Sequence, residues 1–258
     1  MNRTVKLILD VMMGMLIPIL ILNNLNEQFG TETTYITAAL VPVAWVFIDL
    51  FFITKRFNFI TSYVGVFAIM RGLLAFWLVD KIQFAFKDSV GFIFTTVVFG
   101  GSILIRKPIM YYFVVQSLNP SSPRQERALK ALLQESGVYR SLIKGTRIVL
   151  MIALLTGIAN FFLNLQIVVA DFGTATFNQQ VARVNAITQV ALTIPEFIGF
   201  WIAALSVRQA MFYYLPKERG KEQHESDFWD LLRLRESQQD LINPQSSDNL
   251  KGLMSPER

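Results

Sequence analysis

Phe59–Val79 reads FITSYVGVFAIMRGLLAFWLV, 21 residues whose only charge is Arg71. At about 1.5 Å per residue, a helix of this length crosses the roughly 30 Å hydrocarbon core of a bilayer. A guanidinium at that depth costs from about 3 to more than 10 kcal/mol unless it is paired or hydrated. The stretch therefore predicts a membrane-spanning helix and, within the protein, something polar for that helix to face.

Comparable apolar runs recur, and six spans follow from them: 6–26, 34–54, 59–79, 86–106, 146–170 and 185–208. Asp10 and Pro18 fall in the first, Gly91, Gly100 and Gly101 in the fourth, and Pro195 and Glu196 in the sixth. Transmembrane helices tolerate proline because neighbouring groups satisfy the freed carbonyl. The first run, after Arg3 and Lys6, imitates a signal peptide. The residues that follow it, Asn23-Asn24-Leu25-Asn26, offer no small-x-small cleavage site, so it reads as a retained first helix.

Composition agrees. The 258 residues are 53% hydrophobic and 17% charged, with a mean hydropathy of +0.42. Soluble domains carry about 25% charged residues. There is no Cys and one His, His224. Disulfides, thiolate catalysis and cysteine metal sites are excluded. His224 sits among charges with no second ligand nearby, and no cofactor or metal set is legible. The fold class that follows is all-α: a polytopic transmembrane helical bundle.

Lys and Arg divide unevenly between the two sides. The N-terminus and the second connection carry two each, and the fourth connection and the C-terminal segment eight each. The opposite side has only Lys81, Lys87 and Arg183. This bias predicts that both termini are cytoplasmic. The net charge of +5 then reports membrane orientation and not nucleic-acid binding. Tyr35, Trp77 and Phe172 are expected at the outer boundary, as an aromatic belt.

The division that results is a six-span domain over 1–215, with a cytoplasmic helical connection at 118–145, and a polar cytoplasmic tail over 216–258. In the connection, Ser122-Pro123-Arg124-Gln125 reads as a capped helix start. Leu129, Leu132 and Leu133 share one face, and Gly137 is the expected terminator. This helix either lies on the membrane, packs under the bundle or binds a partner. In the tail, Asp227 caps a short amphipathic helix carrying Phe228, Leu231, Leu232 and Arg235, and Pro244 ends it. Beyond it the composition predicts disorder.

Ile105–Phe113 (IRKPIMYYF) aligns with Val207–Leu215 (VRQAMFYYL). Val41-Pro42 and Ile194-Pro195 each precede a basic residue, Lys55 and Arg208, at the same spacing. Spans two, four and six either close three related helical hairpins or simply share the basic end that a cytoplasmic exit requires.

The intramembrane polar candidates are Arg71, Glu196, Asp49, Asp10, Asn160 and Asn164. Arg71 and Glu196 fall at similar depth, so they can pair. Asp49 and Asp10 lie nearer the cytoplasmic side, within reach of a snorkelling Arg71 or of loop cations. Asn160 and Asn164 make one polar face, which Gln189 can join. One reading is structural, a buried network that fixes helix register. The other is functional, a route for an ion, proton or small anion. No nucleotide loop, zinc-protease motif or nucleophile elbow is present, so nothing supports an enzyme.

Gly100-Gly-Ser-Ile-Leu-Ile-Arg-Lys-Pro-Ile-Met-Tyr-Tyr112 resembles the intracellular septation protein A-like family of small, largely uncharacterised bacterial integral membrane proteins. The early Asp and mid-helix Pro of span one, and Tyr139-Arg140 leading to Thr146, are similar too, so the resemblance covers about residues 5–212. Lys107 and the long tail depart from the pattern. The resemblance implies a bacterial inner-membrane protein, non-enzymatic, acting as an envelope or septation scaffold. Its expected partners are the lipid bilayer and other membrane proteins or further copies of the chain. The alternative is a small secondary transporter or channel using Arg71 and Glu196.

Overall fold

The computed structural model describes residues 9–10, 12–54, 59–79, 81–217 and 226–242. Arg3, Lys6, Lys55, Arg56, His224, Pro244 and the C-terminal end lie outside the described residues.

Every regular element among the described residues is helical. α1 is Met12–Asn24, wound wider over Met12–Leu16 just before Pro18, whose missing N–H breaks the ladder. α2 is the single turn Asn26–Phe29. It ends at Gly30, whose φ of +76° an L side chain would resist. α3 is Thr31–Ile48, running on in a wider helix over Asp49–Thr54. α4 is Phe59–Ala75 and α5 is Lys81–Leu104. α6 is Ile109–Leu118, α7 Pro123–Gln134 and α8 the 32-residue Ser136–Ile167. α9 is Ala175–Ala191, α10 Thr193–Tyr213 and α11 Phe228–Ile242.

Among the described residues, four helices are long and apolar enough to cross a membrane: Thr31–Ile53, Lys81–Leu104, Ser136–Ile167 and the joined Ala175–Tyr213. Met12–Asn24 and Ser62–Ala75 are apolar but shorter, reaching roughly 20 Å. The expected sixth span at 185–208 is not one unbroken helix. It straddles Leu192, where α9 passes into α10, because Pro195 cannot donate to the carbonyl four residues back.

α8 is the central post. α5 and α10 pack along it, and a second layer of α1, α3 and α4 leans on them mainly through α9. α4 packs on α3 but only sparsely on α5, which leaves space between the layers. The α5–α8–α10 contact is close. A Cβ on Gly157 would lie 2.6 Å from Phe92 Cβ, and one on Gly145 3.4 Å from Ala203 Cβ. Outward faces keep large apolar side chains exposed, among them Leu73, Val97, Leu104, Leu155 and Phe197. A surface of this kind suits lipid, not water.

Two buried clusters hold the ends. One joins Met110, Leu129, Leu132, Leu133, Val138, Leu142, Val207, Leu231 and Leu232. The other gathers Leu22, Tyr35, Phe84, Val168, Phe177 and Val184. Tyr35 sits inside this second cluster with its ring 5.7 Å from Phe172 and 5.9 Å from Phe177. It is therefore a core residue and not a lipid-facing belt residue, whereas Trp77 is exposed.

Local details correct several expectations. Ser122 Oγ accepts from Gln125 N–H at 3.2 Å, but Gln125 Oε1 takes the N–H of Ser121, not of Ser122. Gly137 does not end α7. Glu135, extended at ψ 136°, does so, and Gly137 lies inside α8 beneath the Tyr214 ring. Asp227 Oδ1 accepts from Trp229 N–H at 2.8 Å, opening α11. The aligned segments 105–113 and 207–215 differ in local structure at their starts. The first breaks at Arg106 (φ 57°) before Pro108, whereas α10 continues unbroken through Arg208 to Tyr213. Pro108 and Ala210 at one register position explain the difference.

Candidate functional site

A cavity of about 320 Å³ opens between the two helix layers. Its polar side brings together Arg71 from α4, Lys87 and Asp88 from α5, and Asn185 and Gln189 from α9. α1 and α3 supply the apolar side, including Pro18, Ala38, Ala39, Pro42, Val43 and Val46. On α3 these residues recur at helical spacing, so a single face is turned to the cavity.

Asp88 is the hub. Its Oδ2 accepts from Asn160 Nδ2 at 3.1 Å and from Asn164 Nδ2 at 2.9 Å. Asn160 Nδ2 also reaches Ser89 Oγ at 3.2 Å. The two amides sit one turn apart on α8, so both can reach a single carboxylate on the facing helix. Among the described residues, Asn164 Oδ1 is the one side-chain polar atom buried without a partner.

Arg71 Nη2 stands 4.0 Å from Asp88 Oδ1, with its side chain 57% exposed and that of Asp88 18% exposed. This is a loose approach, because the amides hold one oxygen of Asp88 on the α8 side. The guanidinium also lies 6.0 Å from the centre of the Phe67 ring. A guanidinium carries five N–H donors, and that of Arg71 lines the cavity beside Asp88.

Lys87 is buried, although the sequence places it with the loop cations. Its Nζ donates to the Trp77 carbonyl at 2.7 Å and lies 4.7 Å from the Tyr35 ring centre. The lysine closes off a carbonyl beyond the C-terminal end of α4 and rests on an aromatic face. Among the described residues, two cations and one carboxylate thus converge on a single cavity.

The other candidates lie elsewhere. Glu196 does not meet Arg71. It is half-buried in the first turn of α10, where the helix N-terminus favours a carboxylate, and Thr156 Oγ1 donates to it at 3.0 Å. Asp10 Oδ1 accepts from Trp45 Nε1 at 2.8 Å. Asp49 begins the wider segment after α3. Neither Asp10 nor Asp49 lines the cavity. Gln189 lines it but does not join Asn160 and Asn164, which turn toward α5 instead. Asp88, Lys87 and Ser89 are the site residues that sequence reasoning missed. The available signal was an adjacent Lys-Asp pair inside the run 86–106, of which only Lys87 enters the charge count, as an outer-side cation.

No protein-family model, no curated protein and no solved structure matches this chain.

Proposed function

We propose that the chain is a six-crossing inner-membrane protein, both termini cytoplasmic, that binds and moves a small anion through the cavity at Arg71, Lys87 and Asp88. The observation that carries this reading is that, among the described residues, two cationic groups and one carboxylate line one inter-helix cavity, with Arg71 no closer than 4.0 Å to Asp88. Helices α1 and α4 complete the six crossings, and the lopsided Lys and Arg distribution orients them. In such proteins, intramembrane charge that lines a cavity marks a substrate path.

The scaffold reading drawn from the septation-family resemblance asks for a free apolar face on the cytoplasmic helices. The apolar faces of α7 and α11 are instead buried in one cluster with α6, α8 and α10. Arg124–Glu236 at 3.1 Å and Arg235–Glu135 add ion pairs around that contact. The ligand reading is therefore favoured.

The test is uptake of labelled phosphate, gluconate and hexanesulfonate into proteoliposomes of the full chain. At least one anion should accumulate. Arg71→Gln should lower its rate more than tenfold, and Lys130→Gln, outside the cavity, should leave it unchanged. No accumulation above empty liposomes, or full activity in Arg71→Gln, would overturn the reading.

A further inference from the structure

The cavity has a chemistry on its second side that anion binding alone does not use. Apart from Tyr35, whose ring lies against Lys87, the cavity surface offered by α1 and α3 consists of Ala38, Ala39, Pro42, Val43, Val46 and their neighbours on α1. These side chains carry no hydrogen-bonding group. A sugar acid or an inorganic oxyanion placed here would turn hydroxyls or oxygens toward hydrocarbon and lose hydrogen bonds to water, which is costly. An apolar body placed there gains by leaving water, in proportion to the area it buries. Three aromatic rings, Tyr35, Phe67 and Phe84, border the same space. The size is that of a small ligand, at the lower end of the range for small-molecule sites. A two-chain lipid would not fit within it.

Resting on the anion reading above, we infer that the ligand is a small carboxylate with an apolar body, its charge at Arg71 and Lys87 and its hydrocarbon against the α1–α3 wall. Arg71 supplies the donors, since its fork matches a carboxylate and its approach to Asp88 is long enough to yield. Lys87 is held by the Trp77 carbonyl and supplies a fixed positive field. Asp88, tied to Asn160 and Asn164, positions Arg71 and repels anions of higher charge.

The experiment is calorimetric titration of the full chain in neutral detergent with four probes: hexanoate, gluconate, hexanol and phosphate. Hexanoate and gluconate share their carbon count and charge and differ in hydroxyls, while hexanol keeps the chain and lacks the charge. Hexanoate should bind at least tenfold more tightly than each of the others. Arg71→Gln should weaken it more than tenfold. Ala39→Trp, which fills the apolar side, should do the same, and Ala39→Ser should narrow the gap between hexanoate and gluconate. An unchanged thermal midpoint checks that the variants fold.

Gluconate or phosphate binding as well as hexanoate, with Arg71 dependence, would overturn this inference and leave the anion reading standing. Equal binding of hexanol would overturn the role given to the charge. Unaltered hexanoate affinity in both Ala39 variants would overturn the role given to the wall. If none of the three anions binds, the anion reading falls with it.

Discussion

Asp88 gathers more of this structure than any other polar residue near the cavity. Two amide N–H groups end on one of its oxygens. Asp88→Leu removes both bonds, leaving Asn160 Nδ2 only Ser89 Oγ and Asn164 Nδ2 only the Asn160 carbonyl, and each buried donor left short of a partner costs up to about 1–3 kcal/mol. Asp88→Asn keeps an acceptor and should cost less. Thermal unfolding in detergent should rank them wild type, Asp88→Asn, Asp88→Leu, and equal midpoints for the two variants would contradict the hub role. Arg71 and Glu196 have separate partners. Arg71→Leu and Glu196→Gln should therefore be additive within about 0.3–0.5 kcal/mol in a double-mutant cycle. A larger coupling would restore the direct pair that depth alone suggested.

At the scale of elements, glycine decides how near α5 and α8 come. Gly157 faces Phe92 with no room for a methyl group. Gly157→Ala must push the helices apart or move the Phe92 backbone. Overpacking of this kind costs about 1–3 kcal/mol, more than the ~1 kcal/mol gained in helix propensity. The variant should unfold at lower temperature than wild type. The same substitution at Gly101, where an added Cβ meets nothing within 4 Å, should be neutral or slightly stabilising. A reversed order would show that the α5–α8 contact is looser than described. Proline works the other way. Pro18 and Pro42 lie within the helical runs of α1 and α3, and Pro195 just past the α9–α10 junction; each removes an N–H from the ladder, and the first two line the cavity. Spare carbonyls are thus placed where the layers already part.

The whole molecule is two helix layers pinned at each end by a packed cluster, with the cavity beside the aromatic cluster. The basic end, which includes α7 and α11, is the one the charge bias assigns to the cytoplasm. Because the chain has no Cys, single introduced thiols report orientation cleanly. In intact cells an impermeant maleimide should label Ala175→Cys, at the exposed start of α9. It should label Lys130→Cys, exposed on α7, only after the membrane is opened. The opposite pattern would invert the topology and move the cavity to the other face.

Run lengths and hydropathy alone determined that the chain is helical and apolar enough for a membrane. The reason is local: a backbone in hydrocarbon must bond to itself, so a long apolar run has few other structures open to it. The cap at Ser122, the cap at Asp227 and the significance of Arg71 were legible for the same reason, since each depends on residues within a turn or on depth along one helix. Only the tertiary structure decided what Arg71 faces. Position along a helix gives height, but not the rotation of each helix or the neighbour it meets. Glu196 matched Arg71 in height yet turned to Thr156, while Asp88, which the sequence did not single out, turned inward to meet Asn160 and Asn164. The burial of Lys87 and the pairing of α7 with α11 were hidden likewise. Both depend on how separate helices pack, a property that no single stretch of the sequence contains.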